Sequence, residues 1–183
     1  MNYWSGLWLA HETGHTFGLP DPYDFEGENY LKSVGTFGIM VTQAGNALGH
    51  FAFKRWVLGW LDNGKIYCHH NREAIIEIEA IENAGGTKAV MVPIDSTSTL
   101  MVESQRKIGF DKKTREGALV YLVNTSLPSG SGPIQVRPRF DSEFKFLQDA
   151  PKAAGDRYTF KNIALEFVES TAKSDKNHIR IER

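Results

Sequence analysis

The first chemical signal in this sequence is His11-Glu12-Thr13-Gly14-His15. The histidines stand at positions i and i+4, so at 3.6 residues per helical turn both imidazoles fall on one helix face and can share a tetrahedral metal ion. Glu12 projects beside that face without being a ligand. A carboxylate placed there can take a proton from a metal-activated water and later return it to a leaving amine. Two histidines on a helix also occur as an ordinary surface or core pair, so the pentapeptide alone carries limited weight.

The continuation, Thr16-Phe17-Gly18-Leu19-Pro20-Asp21-Pro22-Tyr23-Asp24, adds to it. Zinc needs a third protein ligand. Gly18 stops the helix and reverses the chain, so that a side chain at the sixth position after His15 swings back to the metal, as in the zinc peptidases called metzincins. That residue is Asp21, where most of the clan has a histidine. A carboxylate oxygen is an ordinary zinc ligand, and Pro20 and Pro22 stiffen the segment that presents it. Asp24 competes for the same role, and either aspartate can instead serve as a turn residue. Farther on, Thr36-Phe37-Gly38-Ile39-Met40-Val41 places a methionine in a tight turn after the loop that follows Asp21. Its thioether would pack beneath the metal as a polarizable floor, a role close to filling a core gap. Several metzincins have a tyrosine at the second position after this methionine to hold the transition-state oxyanion. Thr42 stands there in this chain, which leaves that work to zinc, Tyr23 or Tyr30.

These residues resemble the secreted immune inhibitor A-like zinc metallopeptidases. That family's signature, His-Glu-x-Gly-His-x-x-Gly-Leu-Pro-Asp-x-Tyr-Asp, is complete from His11 to Asp24 and is followed by Gly38-Ile39-Met40. Leu58-Gly59-Trp60-Leu61, Met101 to Arg106 and Gly109-Phe110-Asp111 are also similar, so the likeness covers roughly the whole chain and is strongest over residues 11–61. It implies an endopeptidase acting on protein or peptide, with bound zinc, possible structural calcium, and secretion to the extracellular space. The calcium reading draws on the oxygen-rich Asp21, Asp24, Glu26 and Glu28, whose spacing matches no known calcium loop. The family's catalytic domain has an N-terminal half with a twisted sheet ahead of its active-site helix. This chain begins shortly before His11, so the resemblance implies a fragment or a degenerate relative, with any signal peptide in the missing segment.

Placing these groups requires particular elements. Ser5 can cap a helix over Gly6 to Phe17, and Gly18 can end it. A second helix is expected from about Ala47 to Leu58. From Ile66 onward, β-branched runs recur between turn signals. Ala74–Ile81, Ala89–Ile94, Thr99–Glu103 and Ala118–Val123 read as strands, as do Arg157–Phe160, Ile163–Val168 and His178–Ile181. Ser129-Gly130-Ser131-Gly132-Pro133 reads as a flexible loop, and Ser170 to Asn177 as a hairpin-like loop. The expected class is therefore α+β. Residues 1–62 would form the C-terminal half of a metzincin-like catalytic domain, with active-site helix, methionine turn and second helix, and residues 63–183 a β-rich, sandwich-like module.

Composition sets the outer bounds. The chain has 183 residues, 41% of them hydrophobic, and 21 Lys+Arg against 22 Asp+Glu for a net charge of −1. That is enough length for a real core, and the charge lacks the basic excess of a nucleic-acid or anionic-membrane binder. No apolar run approaches a membrane span. Cys68 alone cannot form an internal disulfide. Cys68-His69-His70 reads as a polar turn, Glu103 with Arg106 as a structural ion pair, and Trp4, Trp8, Trp56 and Trp60 as core residues. The leading reading is a zinc metallopeptidase in which His11, His15 and Asp21 hold zinc and Glu12 is catalytic. The rival is a catalytically incomplete remnant or binding module that keeps the zinc site.

Overall fold

The computed structural model describes residues 6–26, 30–45, 47–139 and 147–181. Trp4, Ser5 and Glu28 lie outside the described residues, as does the side chain of Tyr30. Two helices are present among these residues, α1 (Gly6–Thr16) and α2 (Ala52–Val57). They precede nine strands: β1 (Ile66–Cys68), β2 (Glu73–Glu79), β3 (Ala89–Pro93), β4 (Ser98–Gln105), β5 (Gly117–Asn124), β6 (Ile134–Val136), β7 (Arg157–Phe160), β8 (Ile163–Ser170) and β9 (Ser174–Ile181).

The strands form two sheets. One has the order β1-β3-β4-β5-β6, with β1 parallel to β3 and the other pairs antiparallel. The second, β2-β9-β8-β7, is antiparallel throughout. Between the sheets lies an apolar layer of Ile78, Val90, Val92, Leu100, Val102, Val120, Ile163, Leu165, Phe167 and Ile179. The other face of the five-stranded sheet is covered too. Met101, Leu119, Tyr121 and Val123 pack there against Val34, Phe37, Val41, Phe51 and Ala52 from the segment ahead of β1. A sheet buried on both faces needs near-continuous apolar strands, which is how Ala118-Leu119-Val120-Tyr121 reads. By contrast β8 alternates Ile163, Leu165 and Phe167 inward with half-exposed Ala164 and Glu166, as a strand with one wet face should.

This architecture corrects the expected α+β class. Among the described residues the molecule is mostly β and its two α-helices are short, so it is not the helical half of a metzincin-like catalytic domain. The second helix shows why. The sequence predicts it over Ala47 to Leu58, but the backbone of residues 47–48 is engaged elsewhere. Gly38 N–H donates to Ala47 O at 2.6 Å and Ile39 N–H to Leu48 O at 3.2 Å, which holds that stretch against the methionine turn and confines α2 to Ala52–Val57. The α2 amino end is then satisfied from the sheet: Ala52 N–H donates to Glu103 Oε2 at 2.7 Å.

Further readings change for similar reasons. Most of the polar stretch after Ser170 is strand, because Ser174, Asp175 and Asn177 are buried. Arg106 pairs with Asp175 at 2.9 Å, not with Glu103 as expected, while donating to the carbonyls of Gln105, Thr171 and Ser174. His69, expected in a polar turn, is buried beside Tyr67 with both ring nitrogens unpartnered. Trp60 is 59% exposed and meets Phe17 and His50 edge-on, because Gly59 at φ +72° turns the chain outward after α2.

Candidate metal centre

Helix α1 spans the expected residues almost to the position. Its end is a Schellman turn: Leu19 N–H donates to Gly14 O at 3.1 Å and Gly18 N–H to His15 O at 2.9 Å, with Gly18 at φ +83°. The reversal brings Leu19 O back beneath His15, where it accepts from Nδ1 at 2.8 Å. His11 Nδ1 donates to Ile39 O, in the methionine turn, at 2.9 Å. A carbonyl only accepts, so each Nδ1 donates, and in the neutral imidazole that leaves the lone pair on Nε2. Both imidazoles are thus fixed in the tautomer and orientation that a metal ligand needs.

Asp21 completes the cluster. Its Oδ1 lies 3.4 Å from His11 Nε2 and 3.6 Å from His15 Nε2, and one ligand atom from each residue falls within 4.8 Å of the others. A tetrahedral zinc with bonds of about 2.0–2.1 Å sets its ligand atoms about 3.3–3.4 Å apart, so these separations fit such an ion. Oδ1 is also buried and has no hydrogen-bond partner. A buried carboxylate oxygen left unsatisfied is costly, and a cation between it and two imidazole lone pairs removes that cost. The residues present therefore fit a divalent metal. The cluster is shielded at His11, whose side chain is 8% exposed, and open at His15, at 32%.

The structure places the other sequence-derived residues as follows. Met40 lies under α1, so close to Gly14 that a Cβ there would overlap its sulfur, and it packs with Leu19 and Ile39. Glu12 is half-buried, next to His11 on α1. Asp24 does not join the cluster; it is exposed and accepts from Glu26 N–H at 3.0 Å, a turn contact. Thr42 Oγ1 accepts from Ala44 N–H at 3.3 Å, and Tyr23 meets Phe25 edge-on. Among the described residues, Asp24 and Glu26 take part in no group of three metal-ligating side chains.

Two site residues escaped the sequence. Lys54 of α2 is buried and donates to Pro20 O at 3.1 Å, just ahead of Asp21. Burial pushes its ammonium down to about 7, against the pull of the Asp21 carboxylate. Ser129 sits in the loop expected to be flexible, yet that loop pairs with residues 21–25. Gly130 N–H donates to Asp21 O at 3.1 Å, Phe25 N–H to Gly130 O at 2.9 Å and Gly132 N–H to Tyr23 O at 3.2 Å. No local pattern signals a contact between segments so distant in the chain.

No family model, no curated protein and no solved structure matches this chain. Among the described residues no helix is long and apolar enough to cross a membrane.

Proposed function

We propose that this chain is a zinc-dependent peptidase whose metal is held by His11, His15 and Asp21 and whose general base is Glu12. The observation that carries the proposal is an unpartnered, buried Asp21 Oδ1 lying 3.4 Å from His11 Nε2 and 3.6 Å from His15 Nε2, close to the edge of a zinc tetrahedron. Three protein ligands leave a fourth position for chemistry, whereas structural zinc sites are closed by four. The greater exposure at His15 supports the open arrangement. A zinc ion held there supplies Lewis acidity, polarising a peptide carbonyl and making water acidic enough to attack near neutral pH.

The chain's own residues do the rest. Ile39 O and Leu19 O keep both imidazoles in the ligating tautomer, and the Schellman turn at Gly18 delivers Asp21 to them. Glu12, beside His11 on the same helix, takes the proton of the attacking water and returns it to the leaving amine. The same run of residues carries the resemblance to the immune inhibitor A-like peptidases.

The test is Glu12→Gln. The wild-type chain should cleave a casein-type substrate and lose that activity to a chelator. The variant should keep its zinc and lose about 10²-fold or more in rate. Undiminished cleavage with zinc retained contradicts the assignment of Glu12, and zinc without cleavage in the wild type favours a binding remnant.

A further inference from the structure

We infer that Ser129 is a positioning residue for the metal centre, setting which oxygen of Asp21 faces the histidines. This rests on the metal-site reading above and extends it to a loop far along the chain. Ser129 Oγ accepts from Asp21 N–H at 2.9 Å and makes a second, long contact, as donor, to Asp21 Oδ2 at 3.5 Å. One hydroxyl thus grips both the backbone and the side chain of the same aspartate. Oδ2 is engaged by Ser129, and Oδ1 is left pointing at His11 Nε2 and His15 Nε2.

The rest of the loop makes that grip possible. Gly130 N–H holds Asp21 O, and Gly130 itself, at φ +74°, lies so close to the Phe25 ring that a Cβ would overlap it. The loop therefore seats on residues 21–25 only with glycine at 130, which presents Ser129 to Asp21. Lys54 separately ties Pro20 O into the protein. The two histidines receive their orienting bonds from nearby carbonyls, whereas the aspartate receives its own from Ser129. Groups that orient a metal's ligands usually change affinity by about 10–100-fold when removed.

The test is a Co2+ titration of the whole chain, wild type against Ser129→Ala and Ser129→Thr, read by the cobalt visible spectrum with circular dichroism to check folding. Wild type should bind one Co2+ with the intense bands of a tetrahedral site. S129A should bind about tenfold or more weakly with altered bands, and S129T, which keeps the hydroxyl, should restore both. If S129A does not fold, Ser129→Gly deletes the same hydroxyl and takes its place. Wild-type affinity and spectrum in the hydroxyl-less variant overturn the role of Ser129 and leave the metal site standing. Failure of S129T to restore binding overturns it as well. A wild-type chain that binds no Co2+ overturns the metal-site reading and this inference together.

Discussion

At the scale of single residues, the proposed metal centre depends on orientation more than on ligand identity. His11 and His15 would serve a metal poorly if either Nδ1 faced the cluster, and two backbone carbonyls prevent that. Gly14, between them, is as demanding. Met40 fills the space a Cβ would need, so Gly14→Ala must displace the thioether or lift α1 from the methionine turn that holds His11. We expect the substitution to destabilise the chain by about 1–3 kcal/mol in urea unfolding and to weaken metal binding. An alanine variant as stable as wild type, with metal affinity intact, would show that the contact is slack. His11, His15 and Asp21 are legible in the sequence because helical spacing, a glycine stop and a short return to the metal are local rules. The same spacing favours Asp21 over Asp24, and Asp24 is exposed and accepts from Glu26 N–H instead of joining the cluster.

At the scale of elements, strands are more legible than helices. The seven runs that read as strands all coincide with strands, and short β1 and β6 escape because so few residues carry too little pattern. The second helix falls short of its expected span because backbone bonds from the methionine turn claim residues 47–48, a tertiary effect absent from local propensity. Helix α2 instead begins on a buried carboxylate. Glu103 accepts from Ala52 N–H, from Tyr121 OH at 2.8 Å and from Gln105 Nε2 at 2.9 Å, and burial nonetheless pushes its carboxyl up to about 7. A carboxyl whose folded value is raised contributes stability that is full below about 4.5, its unfolded value, and is lost as pH rises through about 7. Glu103→Gln removes this titration, and Gln105, whose Oε1 is unpartnered, can rotate its amide to accept from the new side chain. The stability of wild type relative to E103Q should therefore fall between about pH 4.5 and 7 and level off above. His50, held down at about 4 by burial and by Lys54 and Arg55, titrates in both proteins and drops out of the difference. A gap between the two proteins that does not change with pH would contradict the buried, proton-holding state of Glu103.

At the scale of the whole molecule, the candidate metal centre and the two sheets are one construction. The segment ahead of β1 covers a face of the five-stranded sheet in a shared apolar cluster. The cluster of His11, His15 and Asp21 is held by α1, by the turn at Ile39, by Lys54 of α2 and by the loop at Ser129 beyond β5. The sequence shows the candidate ligands and the β-rich remainder, but not that the remainder supports the ligands, because that contact is carried by a serine and a glycine in a stretch that reads as a flexible loop. Zinc bound at this point should stabilise the entire chain, since an ion that binds only the folded state raises its stability by mass action. The most direct test of the account is the zinc content of the purified chain together with its thermal unfolding, for wild type and for Asp21→Asn. One zinc per wild-type chain, a higher melting temperature with zinc than after chelation, and loss of both in D21N are the expected results. A wild-type chain that binds no stoichiometric zinc, or a D21N chain that binds it as tightly, would contradict the metal centre and the peptidase built on it.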